Sequence, residues 1–84
     1  MRVTIDGRTY RGATATALIE EIKEMNWGAT KVTDAEGYIA IQEDTYKKFT
    51  GKKLKLPKGD TEARAIAMFE AIAAIGAWQF NRED

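Results

Sequence analysis

Apolar and polar positions alternate at the start of the chain and then change to a helical spacing. Across residues 2–11, Val3 and Ile5 alternate with Arg2 and Thr4, and beyond Asp6-Gly7 the alternation resumes through Tyr10. Period-two alternation marks a half-buried strand. Asp-Gly is the pair that a two-residue type I′ turn favours, because both of its residues take positive φ. The segment therefore predicts a β-hairpin with its register set by the turn: Ile5 opposite Arg8, Thr4 opposite Thr9, Val3 opposite Tyr10 and Arg2 opposite Arg11. Val3, Ile5, Tyr10 and the stem of Arg8 then share the core face, and Arg2, Thr4, Thr9 and Arg11 share the wet one.

After Gly12 the spacing becomes helical. Ala15, Leu18, Ile19, Ile22 and Met25 recur at three- and four-residue steps, with Glu20, Glu21, Lys23 and Glu24 on the other side. Thr14 or Thr16 is the expected cap, and Asn26-Trp27-Gly28 the expected stop. The segment 33–50 admits two readings. Thr33 and Glu36 have capping-box spacing, and Ala35, Ile39, Gln42, Tyr46 and Phe49 form a helical stripe that ends at Gly51. Against one long helix stand Gly37 and the strand formers Tyr38-Ile39-Ala40-Ile41, which suit a hairpin through Asp34–Gly37 and a short helix over 42–50. The long helix is preferred.

Lys52 to Leu56 alternates again, Leu54 and Leu56 inward and Lys53 and Lys55 outward, which predicts a third strand. Asp60 or Thr61 then caps a helix over about 61–75, closed by Gly76. Ile66, Met68, Phe69, Ile72 and Ile75 make it the most apolar segment and the expected central helix. Ala77-Trp78-Gln79-Phe80 is an optional short final strand with Trp78 and Phe80 on one face, and residues 81–84 read as a disordered tail. The expected fold class is α+β: a small antiparallel sheet, hairpin plus one strand and optionally a fourth, covered on one face by three helices in the order β-β-α-α-β-α. Its 84 residues make one such domain.

Composition narrows the chemistry. With no cysteine and no histidine, disulfide frameworks, thiolate metal sites and the commonest general base near neutral pH are all excluded. Nothing points to a cofactor or a catalytic constellation, and phosphate-loop motifs are absent. The carboxylates Glu20, Glu21, Glu24, Glu43 and Asp44 read as solvated helix faces, since a cation site needs oxygens converging from several segments. No apolar run approaches the ~18 residues of a membrane span. Met1-Arg2-Val3-Thr4 leads into a strand pattern without a signal-peptide core, so a cytoplasmic location is expected.

Several pieces resemble a family of short bacterial reading frames, some associated with mobile elements or phage. The residues that carry the likeness are Val3 to Tyr10, Glu36 with Tyr38-Ile39, and Lys47-Lys48-Phe49-Thr50-Gly51. The resemblance implies a helical 33–50 segment. It implies no activity, cofactor or catalytic residue.

Two binding surfaces remain. Trp27, Trp78 and Phe80 stand at a helix end and near the chain end, where aromatic side chains anchor partners. They support a non-catalytic protein-interaction module, with a homodimer as one form. The alternative is a weak nucleic-acid binder. Lys47, Lys48, Lys52, Lys53 and Lys55 fall in a stretch without an acid, and Arg2 and Arg11 oppose each other on the hairpin. If the 52–56 strand joins the hairpin, Arg2, Arg11, Lys53 and Lys55 share one open cationic face. Against this, the formal net charge is zero, with 13 basic and 13 acidic residues, and no aromatic falls on that face for base stacking.

Overall fold

In the computed structural model, which describes residues 1–25 and 34–82, Asp6 and Gly7 both take positive φ, at 51° and 80°. This is the backbone of the predicted turn. It joins β1 (Arg2–Ile5) to β2 (Arg8–Arg11) in the expected register, from Ile5 opposite Arg8 to Arg2 opposite Arg11. One more rung follows: the Met1 nitrogen donates to the Gly12 carbonyl at 2.7 Å, and the Gly12 amide donates to Met1 at 3.0 Å.

Three helices follow: α1 (Ala15–Met25), α2 (Ala35–Thr50) and α3 (Thr61–Ala74). The chain then closes with β3 (Gln79–Asn81), antiparallel to β1, so the sheet order is β2-β1-β3. The α+β class holds, in the order β-β-α-α-α-β. The helices gather on the inner face, α1 against β2 and α3 against β3, while α2 packs across α1 and α3.

Two expectations are corrected here. Residues 52–56 form no strand. Their alternation is real as burial, since Leu54 is buried and Lys53 and Lys55 are exposed, but the segment forms no ladder with the hairpin and borders a hollow with Tyr46 and Ala71 of the helices. The third place in the sheet goes to the end of the chain. Asn81 pairs with Arg2 and so belongs to the sheet, not to a tail.

The 33–50 ambiguity resolves as one helix. Its cap is Asp34, whose carboxylate accepts from the Gly37 amide at 2.8 Å, and Gly51 ends it by donating to Lys47 at 2.8 Å. Thr33, expected as the cap, lies outside the described residues. Its proposed capping-box partner Glu36 instead accepts from the Thr61 hydroxyl at 2.8 Å and Arg64 Nε at 3.2 Å. Arg64 also donates to the Pro57 carbonyl at 2.9 Å, which ties the 51–60 connection to α3. Thr14 and Asp60 cap the other two helices through the Ala17 and Ala63 amides.

One cluster forms the core. Val3, Leu18, Ile19, Ile22, Ile39, Met68 and Phe69 are fully buried, and Tyr10 and Tyr38 complete it. Burial, and secondarily the neighbouring Tyr10 phenol, holds the Tyr38 hydroxyl well above the usual tyrosine range. Phe69 is the largest of the fully buried side chains; its ring stacks on Phe80 at 5.2 Å between centroids and meets Trp78 at 5.9 Å. Five expected inward residues thus differ in outcome: Met68, Phe69 and Ile72 are buried, Ile66 is half-buried, and Ile75 is exposed.

Gly12 is where hairpin and helix meet most closely. A Cβ there would stand 2.9 Å from the Leu18 nitrogen and 3.1 Å from the Ala17 carbonyl carbon. Helix backbone cannot yield as a flexible side chain does, so Gly12→Ala is expected to cost about 1–3 kcal/mol. Urea denaturation of the variant checks this; an unchanged midpoint would show that the two elements separate freely.

Candidate binding surfaces

The outer face of the sheet is a polar grid built by the register. Cross-strand partners share a face, so Arg11, Arg2 and Asn81 form one row, and Thr9, Thr4 and Gln79 the next. The row between them, Tyr10, Val3 and Phe80, points the opposite way into the core. Among the described residues no helix lines the grid. It floors an open groove of about 410 Å³ lined by those six side chains and the Phe80 segment. The Thr4 and Thr9 hydroxyls are hydrogen-bonded to each other at 3.0 Å.

The lysines are elsewhere. Lys52, Lys53 and Lys55 border a hollow beside Tyr46 of α2 and Ala71 of α3. Lys48 pairs with Asp44 at 2.9 Å on α2, and Lys47 is exposed on the same helix. The shared cationic face of Arg2, Arg11, Lys53 and Lys55 therefore does not form. Its physical basis was a ladder between 52–56 and the hairpin, and that ladder is replaced by β3. Arg2 and Arg11 line the sheet groove, and Lys53 and Lys55 the hollow beside Tyr46.

A second hollow is apolar. Gln42, Thr45, Tyr46 and Phe49 of α2 wall it on one side, and Ile72, Ile75, Ala77 and Trp78 on the other, enclosing about 160 Å³. Phe49, expected in the buried stripe of α2, is 76% exposed. Angle alone does not set it apart: at ~100° per residue Phe49 lies within about 20° of buried Tyr38 round the helix, but it stands in the last turn of α2. Ile41 and Ile75 are also exposed large apolar side chains.

Of the aromatic residues singled out from the sequence, Trp78 lines this hollow while its ring rests on Phe69. Phe80 is half-buried against the core and does not line the hollow. Trp27 lies outside the described residues. Phe49 is a surface residue that the helical spacing does not reveal, because it shares the angular position of buried Tyr38.

Among the described residues, no three acidic side chains converge on a point that suits a metal ion. No described helix is long and apolar enough to cross a membrane. Comparison with known proteins finds no matching family model, no matching curated protein and no matching solved structure. The functional reading rests on the surfaces themselves.

Proposed function

We propose that this domain is a small non-catalytic protein-interaction module, working inside the cell, whose contact surface is the apolar hollow between the C-terminal turns of α2 and the 72–78 segment. The observation that carries the reading is Phe49, 76% exposed at the rim of a hollow whose opposite wall holds Trp78. A contiguous apolar surface with aromatic anchors is the usual form of a binding hot spot. A rim residue beside a hollow also suits a two-fold pairing, in which each copy offers the same patch to the other. A homodimer is therefore one form of the module.

Phe49 has little part in the core, so its replacement separates binding from folding. Phe49→Ser is expected to leave stability within ~0.5 kcal/mol of the parent, as for surface substitutions generally. It is also expected to abolish association. Sedimentation velocity over a wide concentration range tests self-association, and cross-linking in cell extract with parent and variant tests other partners. A chain that stays monomeric and yields the same cross-links with Phe49→Ser would refute the reading.

A further inference from the structure

We propose that residues 53–56 are an unpaired strand, and that it takes up an extended segment of a partner protein in which acidic and apolar side chains alternate. The segment lies between Gly51 and Gly59, which take positive φ at 74° and 98°, and residues 53–57 run without helix, turn or bend. Leu54 is buried between the exposed Lys53 and Lys55, the two-residue alternation of a strand. The chain on either side is hydrogen-bonded: the Lys52 amide donates to the Thr50 hydroxyl at 3.1 Å, and the Pro57 carbonyl accepts from Arg64 at 2.9 Å. Between them, among the described residues, the backbone of 53–56 meets no hydrogen-bond partner within the chain. A strand in that condition readily accepts another, and strand addition is a recurrent way of binding a peptide.

Charge and shape then specify the occupant. Lys53 and Lys55 share the outward face, and neither they nor Lys52 belong to any ion pair among the described residues. No acid lines the hollow that these lysines border, although the whole chain carries 13 acidic and 13 basic residues. Side chains directly opposite across a strand pair interact, so acids two residues apart on the added strand meet Lys53 and Lys55. The residue between those acids turns to the other side. There it meets Leu54, Tyr46 and Ala71 in a hollow of about 510 Å³, which suits an apolar side chain. A nucleic-acid strand fits less well. It would answer the lysines, but it has no series of amides and carbonyls to pair with the backbone of 53–56.

Titration of the intact chain with the end-blocked peptide Gly-Glu-Val-Glu-Val-Glu-Gly, followed by two-dimensional NMR and amide hydrogen exchange, tests the assignment. A peptide of the same composition with its glutamates in one block, and an oligothymidylate, serve as parallel probes. Saturable shifts are expected at 53–56 and at Ala71. Exchange should slow at alternate amides of 53–56, because only every second N–H of a strand faces the added one. The alternating peptide should bind several-fold tighter than the block peptide. Lys53→Glu is expected to weaken its binding about tenfold, and Lys53→Glu with Lys55→Glu should reject it and accept the counterpart with lysine in place of glutamate. The assignment is overturned if no saturable shift is seen, if the peptide binds without slowing amide exchange, or if the block peptide binds equally. Tighter binding of the oligothymidylate would overturn it as well. So would shifts at 53–56 on concentrating the chain alone, which would make a second copy the occupant. Phe49 does not line this hollow, so Phe49→Ser leaves peptide binding unchanged and the two proposals fail separately.

Discussion

Phe69→Ala is expected to lower the stability of the domain by about 3–5 kcal/mol, the usual cost of truncating a fully buried phenylalanine. The side chain is 0% exposed and holds both aromatic residues of the C-terminal segment, Trp78 at 5.9 Å and Phe80 at 5.2 Å. Such ring pairs add to the burial itself. A domain of this size has a stability on the order of 0.1 kcal/mol per residue, so this one change approaches half or more of the total. Urea unfolding followed by far-ultraviolet circular dichroism measures the loss, and in a Trp27→Phe background Trp78 fluorescence reports its environment. A loss below about 1 kcal/mol would mean that the aromatic cluster repacks around the gap, contrary to the rigid-core picture.

The next largest effect is expected at Glu62. It lies in the first turn of α3, yet its carboxylate reaches the start of α1, where it accepts from the Ala15 amide at 2.8 Å, the Thr16 amide at 2.9 Å and the Thr16 hydroxyl at 3.0 Å. One side chain thus answers the unpaired amides of one helix while standing at the positive end of another. Glu62→Ala should cost about 2 kcal/mol, the upper range for loss of a cap. The effect depends on pH. Burial pushes the Glu62 carboxyl up, but the Thr16 and Ala15 amides and the Thr16 hydroxyl outweigh it and hold it below the ordinary carboxylate range. A depressed acid stabilises the fold fully above its unfolded-state value, and that contribution is lost as the pH falls through the folded value. The difference between parent and Glu62→Ala should therefore be greatest near neutrality and shrink in acid, starting from the ordinary carboxylate range and continuing below it. A difference that stays constant down to pH 2 would show that the carboxylate charge plays no part.

The hairpin was legible in full because Asp6-Gly7 fixes a register with no long-range information. The helices were legible for a similar reason: their caps and apolar stripes are local. What escaped was the identity of partners distant in sequence. Alternation at Leu54 and Leu56 reports an extended segment with one side buried, but it does not say whether hydrogen bonds join that segment to a ladder. The 77–80 signal was too short to rank above it, yet Phe80 won the place beside Val3 by stacking on Phe69. Glu36 reads as the capping-box partner of its own helix, and nothing in the spacing singles out Glu62. The first instead ties α2 to α3, and the second ties α3 to α1. The candidate surfaces followed the same rule. Four residues of the six-residue grid are visible in the hairpin, Arg2, Thr4, Thr9 and Arg11, and the two supplied by Gln79 and Asn81 wait on the pairing of β3.

The order β2-β1-β3 also has a consequence for how the chain is made. Val3 acquires Tyr10 as a neighbour almost as soon as both are synthesised, but its other neighbour, Phe80, follows only after all three helices. Until then the hairpin has an open edge, a template for any strand that passes. Nascent chains that stall short of Phe80 should therefore be the ones that pair with each other, and the arrival of Gln79–Asn81 is the step that covers β1.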